Sequence, residues 1–298
     1  HLFSGCGRLE DVDLTGLDLG NVTNMSYLFS DCSNLKNVDL TGLDLGNAKN
    51  ISYFFSGCSS IEKFDLTAFD MANNAKGRSI RGMFNNCSAL KSLDDIKGLE
   101  LKSVTDVGSL FAGCSSLESV DLSRYDFSSV TRASDMLKDC TGLKRVALTG
   151  MESGSVILFD GLFSGCINLQ SVSLSGLDMG KVGSMSNMFS GCSSLESIDL
   201  GKPDLSSVTY LNGMFKDCSS LKSVDLQGLN LVKVEKTYSM FENCTSLKEM
   251  DLSGLNLQNI GDAQAMFKNC SSLEKIELTG IGFKSFYVSP YAGAKSIM

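Results

Sequence analysis

The chain has 298 residues, with 26 Lys and Arg against 34 Asp and Glu, a net charge of −8 and a pI near 4.8. That balance runs against phosphate-backbone recognition, and 43% hydrophobic against 20% charged residues marks a folding chain rather than a disordered one. The single His is residue 1, so no Ser-His-Asp triad, Cys-His pair or imidazole metal site can form in the body of the protein.

Length alone predicts about two domains of roughly 150 residues each. The cysteines overrule it. Eleven of them, at 6, 32, 58, 87, 114, 140, 166, 192, 218, 244 and 270, are separated by 26, 26, 29, 27 and then 26 residues throughout. A fixed period of this size marks a repeat array. Each Cys follows a Phe by three residues, as in Phe29/Cys32 and Phe267/Cys270; Leu137/Cys140 is the conservative exception. Counting the Phe as position 1, Phe189 to Met214 shows the unit well: FSGCSSLESIDLGKPDLSSVTYLNGM.

The elements follow in chain order within each unit. Val22, Met25, Leu28, Phe29 and Cys32 are spaced by three and four, which predicts one face of a helix, with Thr23 (Thr209 in a later unit) as its N-cap. Leu35, Val38 and Leu40 form L-x-x-V-x-L, a short strand with Asp39 outward. Gly42 closes it with a turn, and Leu43 and Leu45 begin a second, extended inward run. One unit has about eight apolar positions worth roughly 1.5–3 kcal/mol each when buried, against about 1.5 kcal/mol per residue for ordering the chain. A unit alone cannot fold; it needs neighbours on both sides.

The run Cys192-Ser-Ser-Leu195-Glu-Ser-Ile198-Asp-Leu200 resembles a leucine-rich repeat, and Val22 to Leu45 (VTNMSYLFSDCSNLKNVDLTGLDL) is similar to the BspA-like, Treponema pallidum-type repeats of bacterial surface proteins. The resemblance covers residues 1 to about 280. It implies an α/β fold: a curved, right-handed solenoid of about eleven coils, with a parallel concave β-sheet and short convex helices. It also implies cell-surface display, adhesion, and no enzymatic activity.

Three units depart from the pattern. The one starting at Phe55 carries three extra residues within Ala72–Ser79, and the one starting at Phe84 carries one near Asp94–Asp95. The one starting at Leu137 has Ala147 in place of the strand Asp. Local bulges are expected, not linkers, so residues 1–280 read as a single array. Residues 281–298 leave the repeat and read as a C-terminal cap up to Pro290 or the start of a linker. His1-Leu2-Phe3 begins inside a predicted helix with no signal-peptide pattern, so the chain is expected to be a piece of a longer protein.

The cysteines all occupy one place in the unit, so stacked thiols would run parallel, not aimed at one another. The expectation is a ladder of reduced, buried thiols, with no disulfide framework and no metal. Met25, Met185, Met188, Met214, Met240 and Met266 fall at core spacing. No phosphate-binding glycine loop occurs, and the N-x-S/T triplets, such as those at Asn24 and Asn243, arise from the repeat itself.

Position 11 carries Asp13, Asp39, Asp65, Asp94, Asp121, then Ala147 and Ser173, then Asp199, Asp225, Asp251 and Glu277. Lying between inward residues, these acids predict an outward stripe interrupted in the middle. Repulsion of exposed charges at this spacing is about 1 kcal/mol or less per pair, so the stripe is tolerable as plain solvation. It equally suits a docking strip for a basic ligand. Arg124 and Tyr125 interrupt an otherwise small, polar surround. A second row, Asp18, Asp44, Asp70, Asp126, Asp178 and Asp204, continuing as Asn230 and Asn256, reads as turn chemistry.

The functional expectation is a non-catalytic extracellular binding or adhesion module, without cofactor, presenting an acidic face to a protein or other cell-surface ligand. Its alternative is a structural spacer within a larger surface protein. Nucleic acid and membrane insertion are not expected, and the array is expected to be monomeric within a longer chain.

Overall fold

The computed structural model describes residues 1–71, 77–149 and 153–281. The expected C-terminal cap or linker, residues 281–298, lies outside them apart from Ile281, as does much of the Ala72–Ser79 insertion.

The L-x-x-V-x-L motifs form short parallel strands. Ser171–Ser173 pairs with Ser197–Asp199 in the register Ser171↔Ser197, Val172↔Ile198, Ser173↔Asp199, one repeat apart. Ser119–Asp121 pairs in the same way with Arg145–Ala147, and Glu249–Asp251 with Lys275–Glu277. Inward Val and Ile alternate with outward polar residues, the pattern of a sheet with one wet face. The pairs are local two-stranded segments. Between them, single bonds such as Lys222 N–H to Glu196 O (3.2 Å) continue the stack.

A second ladder runs along another edge of every coil. It joins Asp106, Arg132, Leu158, Ser184, Tyr210, Lys236 and Asp262 through parallel bridges. Buried apolar side chains from Leu14 to Ile260 fill the space within as one cluster. The molecule is therefore a parallel β-solenoid of leucine-rich repeats.

The predicted convex helices are absent: among the described residues there is no α-helix, only 3₁₀ turns at Thr67–Phe69 and Leu93–Asp95. Alternate residues of the predicted helical segment instead bond to the next coil. N–H groups of Met185, Asn187, Phe189 and Gly191 donate to the carbonyls of Tyr210, Asn212, Met214 and Lys216 at 2.8–3.0 Å. The intervening residues close tight turns, as Cys192 N–H does on Phe189 O (3.0 Å). This path requires left-handed backbone at position 3, and that row is Gly, Asp or Asn in every unit: Asp31 (φ 59°), Asn86 (58°), Asp139 (56°) and Gly191 (77°) are examples. Those residues tolerate the left-handed region best. Met25, Phe29 and Cys32 are buried as expected, because the turn path turns the same residues inward.

Columns of identical side chains result. Phe163, Phe189, Phe215, Phe241 and Phe267 stack at 5.3–5.6 Å between ring centres, with interplanar angles of 15° or less. A second stack runs from Phe3 to Phe111, and Leu137 separates the two. Each cysteine from Cys32 onwards donates its thiol to the carbonyl of the preceding unit's first residue, as Cys192 Sγ does to Phe163 O (3.1 Å). All eleven thiols are free. Burial pushes the Cys58, Cys192 and Cys244 thiols up to about 12, so they stay protonated and keep donating. The first insertion brings in Arg78, which is fully buried and donates to Phe69 O (3.0 Å) and Gly46 O (2.8 Å), tying two coils together.

Candidate functional site

The position-11 carboxylates stand on the strand face and, with few exceptions, are exposed. Their geometry comes from the turn that ends each strand. Asp13, Asp39, Asp65, Asp121, Asp199, Asp225 and Asp251 each accept the backbone N–H two residues on, at 2.8–3.0 Å. These are Asx turns, in which the side chain replaces a backbone acceptor. The carboxyls of Asp13, Asp39, Asp121 and Asp251 lie below the usual range, held first by the hydroxyl and then by the N–H of that same residue. Glu277 is lowered in the same way by Thr279. Asp65 is taken down to about 2, first by Lys97 and then by Thr67. These shifts are all downward, which makes Asp13, Asp39, Asp65, Asp121, Asp251 and Glu277 fixed negative charges rather than a reservoir of protons.

Asp94 departs from the expected column. The extra residue in its unit is absorbed in the Leu93–Asp95 turn, so Ile96–Lys97 pairs with Phe64–Asp65 and Lys97 stands opposite Asp65. The Lys97 ammonium bonds the Asp65 carboxylate at 2.7 Å. Asp94 instead pairs with the Arg124 guanidinium, which also donates to Tyr125 Oη (3.2 Å) and lies 5.2 Å from that ring's centre. The stripe is thus neutralised around Asp65 and Asp94, beyond the expected gap at Ala147 and Ser173. What remains is an N-terminal group, Asp13 and Asp39, an isolated Asp121, and a C-terminal group, Asp199, Asp225, Asp251 and Glu277. An open depression of about 360 Å³ lies over the first group, bordered by Asp13, Asp18 and Asp39. Another of about 340 Å³ lies over the second, bordered by Asp225, Glu249, Asp251, Lys275 and Glu277.

The second acid row makes Asx turns as expected: Asp18, Asp44, Asp126, Asp178 and Asp204 accept N–H groups at 2.8–3.2 Å. Sequence reasoning missed a charge column at position 8, where Lys36–Glu10, Lys91–Glu62, Lys144–Glu118 and Lys222–Glu196 link neighbouring coils at 2.6–3.2 Å. The signal was the opposite sign of charge at one position in successive units. It also missed Glu242, which is buried between Lys268 (2.7 Å) and Lys216 (3.3 Å).

Lys268 first, with Lys216 and Ser239 assisting, takes the Glu242 carboxyl down to about 2 from 4.5. The folded value lies below the unfolded one, so the stabilisation is complete above about pH 4.5 and is lost as pH falls towards 2. Both lysines remain well solvated, which limits the effect. Glu242→Gln is expected to cost roughly 1–2 kcal/mol at pH 7 and almost nothing at pH 2. Urea melts of both proteins at the two pH values check this, and a gap of the same size at both would refute it.

Among the described residues, no group of three or more His, Cys, Asp or Glu is placed to hold a metal ion, and no helix is long and apolar enough to cross a membrane. The family profile described as Mycoplasma protein of unknown function, DUF285, matches residues 1–92, 75–171 and 157–279. The chain belongs to that family. The matching profile is thus a Mycoplasma one, not one specific to Treponema. Comparison with curated proteins finds no match. Similar solved structures include a leucine-rich repeat protein from Bacteroides ovatus, at 20% identity and TM-score 0.46, covering 94% of this chain and 76% of that one. A leucine rich cell surface protein from Faecalibacterium prausnitzii matches at 20% identity and TM-score 0.43, covering 86% and 76%. An internalin from Listeria monocytogenes matches at 14% identity and TM-score 0.25, covering 94% and 83%. These likenesses are loose, and the fold assignment rests on the ladders themselves.

Proposed function

We propose that the chain is a non-catalytic, extracellular binding module whose carboxylate row docks a basic segment of a protein ligand. One observation carries the reading. The C-terminal group, Asp199, Asp225, Asp251 and Glu277, is a run of carboxylates one repeat apart, and its last three members border an open depression. Fixed charges at a regular interval on an open surface attract and orient an extended cation, and their contribution weakens with salt. Cell-surface display belongs to the proposal through the sequence resemblance to bacterial surface repeats.

The test uses octalysine as probe. The triple variant Asp199→Asn/Asp225→Asn/Asp251→Asn removes charge while keeping the Asx turns, since Asn accepts the same N–H. Loss of three exposed pairs is expected to weaken binding about 5- to 50-fold and to flatten its salt dependence. Equal binding by parent and variant, or binding indifferent to salt, defeats the proposal.

A spacer is the second reading, favoured by the turn role: every Asx carboxylate already has work to do without a ligand. Cell adhesion by a parent protein that survives the triple substitution but falls when whole 26-residue units are deleted supports the spacer.

A further inference from the structure

The second ladder carries a feature unrelated to the carboxylate row. Among the described residues, only two tyrosines are strongly exposed, Tyr210 (39%), which lies on this ladder, and Tyr238 (45%), just past its Lys236. Tyr210 is bridged to Lys236, whose ammonium lies 5.8 Å from the Tyr210 ring centre, and Tyr238 follows two residues later. Asn212 follows Tyr210 by two residues in the same coil. It holds in its own unit the place that Tyr238 holds in the next. The backbone on both sides of it is tied to that unit: Leu211 N–H donates to Lys236 O at 3.0 Å, and Gly213 N–H to Tyr238 O at 2.9 Å.

Asn212 is only 8% exposed, yet its Oδ1 has no hydrogen-bond partner. Apart from Nε of Arg78, no other buried side-chain nitrogen or oxygen among the described residues is left unmet. Two units earlier on the same row, Asp160 Oδ1 accepts both the Ser184 hydroxyl and the Ser186 N–H. An unmet buried amide oxygen is unfavourable unless something supplies a donor.

An open groove of about 590 Å³, lined by Thr209, Lys233, Glu235, Lys236, Asn259 and Asp262, meets this edge at Lys236, whose ammonium lies over the Tyr210 ring. Two ammonium groups face two carboxylates, and none of the four is in an ion pair among the described residues. A polyanion entering the groove would meet Glu235 and Asp262; a polycation would meet Lys233 and Lys236. A hydroxyl both donates and accepts, so it serves ammonium, carboxylate and carboxamide alike. Exposed tyrosines add flat apolar faces with a polar tip.

We propose that this edge binds a neutral glycan, with sugar rings laid on Tyr210 and Tyr238 and hydroxyls reaching the groove beside Lys236 and, once its side chain turns outward, the Asn212 carboxamide. The site is independent of the carboxylate row. The chain has seven Tyr and no Trp, so intrinsic fluorescence reads tyrosine directly.

Cellohexaose, maltohexaose, mannohexaose and chitohexaose are titrated in turn against the intact chain. At least one is expected to give a saturable change. Tyr210→Ala and Tyr238→Ala should weaken it about tenfold or more, Tyr238→Phe should hold it within about threefold, and the Asp→Asn triple at 199, 225 and 251 should leave it unchanged. Asn212→Leu should also weaken it; the exposed tyrosine variants keep the test valid if that buried change harms folding. Saturation by none of the four sugars overturns the proposal, as does full binding by the double tyrosine variant. Competition by oligo(dT) or by octalysine would likewise overturn it, by assigning the groove to a charged ligand.

Discussion

Phe189→Ala is expected to lower the stability of the array by about 3–5 kcal/mol, the usual cost of emptying a buried aromatic site. The ring is fully buried and stacked between Phe163 at 5.4 Å and Phe215 at 5.6 Å. Truncation removes both stacking partners at once. It also disturbs a backbone junction, because the Phe189 carbonyl accepts both the Cys192 N–H (3.0 Å) and the Cys218 thiol (3.1 Å). Leu137 shows what the column tolerates naturally: a large aliphatic residue that stays fully buried. Phe189→Leu should therefore cost only about 1–1.5 kcal/mol. Stability in a solenoid is close to a sum over units and their interfaces, so one damaged interface can uncouple the two sides. Urea unfolding followed by circular dichroism should show the parent's transition lowered and broadened or split in Phe189→Ala, and merely lowered in Phe189→Leu. A single unaltered transition with less than about 1 kcal/mol lost would mean that the stacked rings are not the coupling element.

The period, the buried Phe, Leu and Cys rows, the strand motif and the Asx acids were all legible, because each depends on one residue type recurring at one spacing. Besides the position-8 charges and Glu242, two things were not. The segment around Phe29 has apolar residues three and four apart, and that spacing is shared by a helix and by a chain of tight turns bonded to the next coil. Spacing alone reports which residues face inward, not where the N–H groups go. The deciding signal was the polar row beside it. Gly5, Asp31, Gly57, Asn86 and their successors sit two residues after the Phe, and such residues are poor in a helix interior and good in left-handed backbone. The second miss was Asp94. An extra residue can be taken up anywhere in its unit, and sequence spacing does not say where. Placing it in the Leu93–Asp95 turn sets Lys97 opposite Asp65 and frees Asp94 for Arg124. The row of acids could be read from the repeat, but its counter-charges could not, since pairing between neighbouring coils depends on register.

The left-handed row gives the sharpest check on the architecture, because the two readings of that segment predict opposite signs. In a helix, Gly191→Val would be mildly favourable, since Gly is the worse helix former by a few tenths of a kcal/mol. In the turn ladder, Gly191 has φ 77° and its N–H is bonded to Lys216 O at 2.8 Å, so the backbone cannot leave that region without breaking the junction. A β-branched residue there is strained, and Gly191→Val should cost about 2–3 kcal/mol. Steric crowding contributes little: the atoms nearest an added Cβ are Gly165 N and Cα at 3.5 and 3.6 Å, ordinary contact distances. The penalty is therefore one of backbone conformation. Gly191→Asn isolates it, because Asn243 and Asn269 occupy the equivalent place with φ of 63° and 62° and support the same ladder. That variant should fall within about 1 kcal/mol of the parent. Thermal and urea melts of the three proteins decide the matter: a Val variant as stable as the parent, or an Asn variant as damaged as the Val one, is incompatible with left-handed backbone at this row.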